Sequence, residues 1–251
     1  MSLSVITPTE ERPTFLLSLY QVLLRQESGD WEWLIYDSSL RPCKELLQYN
    51  DPRIHYIHDL DRKTIGERRN LLVQKAKGEI IVHFDDDDYY APHYLSTIKE
   101  ALKKDDFFHI HSWFAYHAAS RQFFYWDSQE KTKSRMALNP LVGARVREID
   151  FGQEAAENMI KHGYGFTFAY RKYLAEKYPF PAVDLGEDEN FFNRIPKEKV
   201  VSIADREGLA LKVIHDTNVS CIFPQFMIPR FMIKTAFPHL AAHEDRYLSR
   251  G

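Results

Sequence analysis

The sequence predicts an α/β protein whose mostly parallel sheet is covered by helices. Three observations carry that expectation: short apolar runs fit for buried strands, stretches of helical periodicity between them, and turn-forming residues at the junctions. Leu3 to Thr7 reads as the first strand, with Pro8 turning the chain. Pro13 then opens a helix in which Phe15, Leu16, Leu19, Val22 and Leu23 recur at helical spacing. Trp31 to Tyr36 gives a second strand ending at Asp37, and Arg53 to Ile57 a third. Glu67 to Lys77 forms a helix that stops at Gly78, and Glu79 to Phe84 is a fourth, buried strand.

The pattern then changes. Phe108 to Tyr116 and Gln122 to Trp126 are aromatic-rich strands forming a hairpin at the sheet margin. Their rings either line a groove or pack in the core. Asp150 is placed to cap a helix through Ala155, Ala156, Met159 and Ile160, ending at Gly163. A strand from Tyr164 to Tyr170 and a helix near Arg171 follow, and Leu211 to Ile214 is a late strand.

The most informative segment lies after the fourth strand. Asp85, Asp86, Asp87 and Asp88 are consecutive, and Pro92 suits the first turn of the next helix. Adjacent acids repel one another unless a cation sits among them. In open α/β sheets ligands gather beyond the carboxyl ends of strands, so these acids mark a candidate active centre. Asp85 and Asp87, two residues apart, offer hard oxygen ligands to Mg2+ or Mn2+ bridging a diphosphate. A helix cap would use one acid rather than four, and the glycine and ligand spacing of a helix-loop-helix calcium site are absent.

A length of 251 residues with 44% hydrophobic content suits a soluble globular protein with a substantial core. The net charge of -3 gives no general attraction to nucleic acid. Cys43 and Cys221 are too few and too far apart for a zinc cluster or disulfide scaffold. No run reaches membrane-spanning length and the start lacks a secretory pattern, so cytoplasmic residence is expected, including residence at the inner face of a membrane. Apolar residues crowd positions 222–237, where Arg230 and Lys234 are the only cations. That stretch either packs on the main domain or meets a membrane or protein partner.

The chain resembles the family 2 glycosyltransferases, inverting enzymes of the GT-A nucleotide-sugar-binding fold. The resemblance rests on Ser4-Val5-Ile6-Thr7-Pro8-Thr9, the strand ending at Asp37, Gly66-Glu67-Arg68-Arg69-Asn70, Phe84 to Pro92, and Gly186-Glu187-Asp188, in that order. It covers roughly residues 3 to 220. It implies a GT-A domain over 1–220, with 221–251 an aromatic-rich extension packed on it.

It also implies roles. Thr7, Pro8 and Asp37 are expected at the nucleoside end of the donor, although Ser38 stands where the family often has a second acid. Arg69 and Asn70 are expected near the diphosphate or its sugar. Asp87, then Asp88, are the expected metal ligands, with Asp85 at the ribose or supporting the metal and Asp86 at a variable, solvent-facing place. Asp188 is the expected general base and Glu187 its orienting neighbour. His215, at a strand end, either completes the metal or diphosphate site or makes a structural hydrogen bond.

The implied reaction is inverting transfer of a hexose or N-acetylhexosamine from a nucleotide diphosphate sugar, UDP-linked by preference, to a carbohydrate or lipid-linked acceptor. Polysaccharide biosynthesis is the implied setting. A sugar nucleotidyltransferase and a catalytically weak nucleotide-sugar-binding protein are the competing readings. The first would release pyrophosphate, and the second would bind donor without turnover.

Overall fold

The computed structural model describes residues 1–130, 134–137, 147–150, 164–218, 222–238 and 240. In chain order the first elements are β1 (Leu3–Thr9), α1 (Pro13–Leu24), β2 (Trp31–Asp37), α2 (Lys44–Leu47), β3 (Ile54–His58), α3 (Ile65–Lys75) and β4 (Ile80–His83). After the acids come β5 (Tyr89–Tyr90), α4 (Tyr94–Ala101), β6 (Phe107–His117), β7 (Gln122–Asp127), β8 (Ser134–Ala137) and β9 (Arg147–Asp150). The last are β10 (Ala169–Arg171), α5 (Lys172–Lys177), α6 (Glu187–Asn193), β11 (Val200–Ala204), β12 (Ala210–Ile214), β13 (Phe226–Ile228) and α7 (Arg230–Ala236). The helix expected after Asp150 lies outside the described residues, as does Cys221.

The chain groups into two units, one of Met1–Asp87, Pro92–His109 and Tyr164–Ser202, the other of Asp88–Ala91, Ile110–Gly163 and Ile203–Gly251. In the first unit the strand order is β3-β2-β1-β4-β10, continuing to the start of β6. β1 to β4 run parallel, as the strand and helix alternation requires. β10 is antiparallel to both β4 and β6, so the sheet is mixed and the mostly parallel expectation holds only for β1 to β4. β10 follows a short 3-10 turn, Gly165–Thr167, which takes up the first part of the strand expected from Tyr164 to Tyr170.

Several boundaries moved, two of them for evident physical reasons. β1 runs through Pro8 to Thr9, because its pairing with β4 stops at Ile6 and leaves Pro8 flanked by Tyr36 of β2 alone. Proline is tolerated in such edge-like settings. α3 begins two residues before Glu67, because Thr64 and Glu67 form a reciprocal capping box. Helix α3 packs under the sheet through Leu72 and Val73, and Ile6, Ile81, Phe107, Phe168, Tyr170 and Phe191 belong to the same core.

In the second unit β6 and β7 form the expected antiparallel hairpin, with Trp113 opposite Trp126. The hairpin is not marginal: β6 also pairs in parallel with β12, and β7 pairs antiparallel with β13. Trp113 and Trp126 stack with ring centroids 5.1 Å apart and are fully buried, which makes them core rather than groove. From the C-terminal stretch, Ile222, Ile233 and Phe237 are buried, Phe237 packing edge-on against Tyr89 and Phe114, while Phe226, Met227, Phe231 and Met232 are exposed. Among the described residues no helix is long and apolar enough to cross a membrane.

Candidate active site

β1, β2 and β4 are parallel neighbours, so the loops after them leave the same edge of the sheet. The loop after β1 brings Thr9 and Arg12, the end of β2 brings Asp37, and the end of β4 brings the acids. Thr7 itself is consumed in fastening this edge: its hydroxyl donates to the Phe84 carbonyl at 2.8 Å and accepts from Trp33 Nε1 at 2.9 Å.

Asp37 is buried. One carboxylate oxygen accepts from the Ser39 backbone N–H at 2.8 Å and from the Ser39 hydroxyl, and the other accepts from the Tyr56 hydroxyl. Burial first, then the Asp37 bond, raise the Tyr56 pKa, so the phenol keeps its proton. Beside Asp37, a cavity of about 470 Å3 is lined by Glu10, Ser38, Lys63, Thr64 and Arg68, with Arg68 Nη2 2.9 Å from Glu10.

Within the four-acid loop, Asp85, Asp87 and Asp88 each offer a carboxylate oxygen, and the three lie within 4.8 Å of one another. Mg2+ and Ca2+ hold such oxygens at about 2.0 to 2.6 Å, so three donors this close can share one divalent cation. The donor set is hard oxygen throughout, which suits Mg2+ or Mn2+.

The protein's own cations already attend these acids. Arg12 Nη1 stands 2.9 Å from Asp86 Oδ1 and 2.8 Å from Asp87 Oδ2. Burial opposes the Arg12 charge, but Asp87 and Asp86 outweigh it and raise its pKa. Asp86 does not face solvent as expected; it is 3% exposed and also accepts from the Thr9 hydroxyl. Burial, reinforced by the Asp87 charge, pushes its carboxyl up to about 6 against the pull of Arg12. Asp88 is fully buried, accepting from Lys212 Nζ at 2.8 Å and from the Val213 backbone N–H at 2.9 Å.

Asp85 faces Arg69, whose Nη2 is 3.7 Å away and whose Nη1 pairs with Glu187. Burial works against the Arg69 cation, while Glu187, Asp85 and Asp188 hold it in place. Arg69 thus ties the acid loop to the first turn of α6. Asp188 follows there, its Oδ2 accepting from the Gly165 backbone N–H at 2.7 Å and its Oδ1 from the Glu189 N–H at 2.8 Å. Gly165 is required for this approach, since a Cβ there would stand 2.7 Å from Asp188 Cβ.

Asn70 does not point at the acids. Its amide brackets Phe180, donating to the carbonyl at 2.8 Å and accepting from the N–H at 2.9 Å, and so clasps α3 to the segment leading into α6. Gly66 allows the same closeness, because a Cβ there would meet the Pro181 carbonyl oxygen at 1.8 Å. His215 belongs to the second unit, where its N–H donates to Asn218 Oδ1 at 2.5 Å and its Nδ1 lies 3.0 Å from the Thr217 hydroxyl. His83 finds its partners in the Gly165 carbonyl at 2.9 Å and the Tyr170 hydroxyl at 3.0 Å.

Thr9, Arg12 and Lys212 were not singled out from the sequence. Arg12 carried a signal, being the only Lys or Arg before residue 25, in the loop whose strand neighbours the strand bearing the acids. Lys212 carried the pattern of a charge inside the apolar run Leu211–Ile214.

Comparison with known proteins agrees with this geometry. The glycosyl transferase family 2 profile matches residues 4–178, spanning β1, the acid loop and β10. The chain is 36% identical over 99 residues to the "Putative colanic acid biosynthesis glycosyl transferase WcaA" of Escherichia coli strain K12, a match covering 38% of this chain and 36% of that relative. The chain therefore aligns with about a third of the relative's length. The crystal structure of S. aureus TarS 1-349 in complex with UDP-GlcNAc superposes with a TM-score of 0.59 at 15% identity, covering 99% of this chain and 70% of that one. The mannosyltransferase PcManGT of Pyrobaculum calidifontis, in complex with GDP-Man and Mn2+, gives 0.56 at 16% identity over 84% of this chain and 56% of its own. At such identities these likenesses speak for the fold. With most of its length matched by the profile and the metal-competent acids in the loop after β4, the chain belongs to glycosyl transferase family 2.

Proposed function

We propose that the protein is a metal-dependent inverting glycosyltransferase that moves a hexose or N-acetylhexosamine from a nucleoside diphosphate sugar, UDP-linked by preference, to a carbohydrate or lipid-linked acceptor. The observation that carries this reading is the link from Asp85 through Arg69 to Glu187, which couples the donor-side acids to the turn bearing Asp188. The solved relatives named for UDP-GlcNAc and for GDP-Man with Mn2+ support a nucleotide sugar and a divalent cation, and the colanic acid relative supports a polysaccharide pathway.

Asp87 and its loop neighbours would hold Mg2+ or Mn2+, which when bound offsets the negative charge of the departing diphosphate. Asp188 takes the proton of the acceptor hydroxyl as that oxygen bonds to the anomeric carbon. The bond from that carbon to the diphosphate oxygen breaks, the nucleoside diphosphate leaves with the electron pair, and attack from the opposite face inverts the centre. Asp37 and the cavity beside it receive the nucleoside, and Arg69 faces the diphosphate. The catalytic domain is assigned to 1–220 with 221–251 as an extension, and the enzyme is placed in the cytoplasm, reaching a lipid-linked acceptor at the inner membrane face.

The test is calorimetry of a nucleotide-sugar panel with and without Mn2+, on the wild type and on Asp87→Ala, followed by product analysis with acceptors. Mn2+-dependent binding of one donor that weakens at least about tenfold in the variant, with nucleoside diphosphate released on turnover, is expected. Pyrophosphate release would instead make the protein a sugar nucleotidyltransferase.

A further inference from the structure

Four adjacent acids need compensation, and the chain supplies most of it internally. Arg69 attends Asp85, Arg12 bridges Asp86 and Asp87, and Lys212 neutralises Asp88. Arg12 is the informative member, because one guanidinium nitrogen serves two consecutive buried carboxylates, one of them the foremost candidate metal ligand.

Its placement is built rather than incidental. Glu11, immediately before it, has φ 54°, a backbone conformation that L side chains rarely adopt. That conformation is held from both sides: the Glu11 N–H donates to Ser39 Oγ at 2.6 Å, and the Leu40 N–H donates to Glu11 Oε1 at 2.6 Å. Strain retained in the loop that carries Arg12 to the acids points to a positional requirement. Asp86 is the counterpart: buried against Thr9 and Arg12, it anchors the guanidinium so that the same group also reaches Asp87.

We propose that Arg12 is an internal counter-cation that keeps the acid loop a weak site for a bare divalent ion, so that the ion is retained only together with the diphosphate of the donor. A fixed positive charge in contact with Asp87 repels an incoming dication, and the inference rests on the metal-site reading above. Once the diphosphate arrives, its own oxygens restore the negative charge that Arg12 cancels. Metal and nucleotide affinity are then reciprocally coupled, with Arg12 setting the size of the coupling. Arg12 is thus a positioning and charge-setting residue, not a catalytic one.

The experiment titrates Mn2+ alone, and Mn2+ in the presence of saturating UDP, following free Mn2+ by electron paramagnetic resonance. In the wild type, Mn2+ alone should bind weakly and UDP should tighten it. Arg12→Met should tighten binding of Mn2+ alone by at least about tenfold and shrink the gain from UDP. The double variant Arg12→Met/Asp86→Asn restores the net charge and should return to within about threefold of the wild type. If Arg12→Met does not fold, Arg12→Gln carries the same expectation, because it keeps a donor for Asp86 and drops the charge. A merely structural role for Arg12 would loosen Mn2+, never tighten it. Unchanged or weaker Mn2+ binding in the folded variant, with UDP-dependent binding intact in the wild type, overturns the inference alone. No Mn2+ binding by the wild type even with UDP overturns the metal-site reading, and the inference with it.

Discussion

Asp87 in the acid loop and Asp188 in the first turn of α6 lie on either side of the Arg69 bridge, yet their hydrogen-bond partners differ in kind. In the loop, Asp86 and Asp87 share a guanidinium and Asp88 holds an ammonium. Asp188 is instead gripped by the main-chain N–H groups of Gly165 and Glu189. Side-chain cations set net charge, which governs what polyvalent ligand a site accepts. Main-chain donors fix a carboxylate's direction without bringing a side-chain cation to it. The difference teaches that the two clusters are not duplicates, and that their acids should fail in different ways when altered.

The largest separation should come from Asp188→Asn. Turnover is expected to fall about a thousandfold, within the range of general-base loss, with nucleotide binding and melting temperature nearly unchanged. A parallel loss of UDP affinity would break the division of roles. Lys212→Met comes next, and its effect should be on folding: it leaves Asp88 buried without its cation, a change worth about 3 to 5 kcal/mol in urea denaturation. A stable Lys212→Met protein would mean that Asp88 is less committed to structure than its contacts indicate.

Gly165→Ala sharpens the comparison from the other side. The new methyl would press on Asp188 at 2.7 Å, so kcat should drop about tenfold while the affinity for donor holds. The smallest effect should be a pH dependence of stability. Burial, then the Arg69 charge, lower the His83 pKa well below 6.5, so the folded protein keeps that ring neutral where the unfolded chain takes up a proton. Its contribution is complete above about pH 6.5 and is lost as pH falls below it. Urea stability of the wild type should therefore decline more between pH 7 and pH 5 than that of His83→Gln.

β1 to β4, α1 and α3 were legible because each declares itself within a dozen residues, by an apolar run, a periodic stretch, or a proline or glycine at the joint, whereas the four-residue α2 carries no such pattern. The acids were legible for the same reason, being contiguous. What escaped depends on pairs far apart in the chain. β5 is two residues long and exists only because Leu211 and Ala210 lie against it. Arg12 meets Asp86 across 74 intervening steps of sequence, and Lys212 meets Asp88 across 124. Asn70 looked like a ligand-facing amide at a helix start, and only the fold shows it spent on Phe180. The start of α3 is a different kind of miss, since the Thr64 and Glu67 box is written in the sequence at its proper spacing.

The clasp between α3 and the segment before α6 has a consequence for engineering. Asn70 and Gly66 fasten the arginine-bearing helix to Phe180 and Pro181, upstream of the turn that carries Glu187 and Asp188. A chimera that grafts residues 179–188 from another family member would set a foreign loop against a native helix that fits within atomic contact. Such grafts should succeed only as two-piece transplants, with residues 64–70 carried alongside.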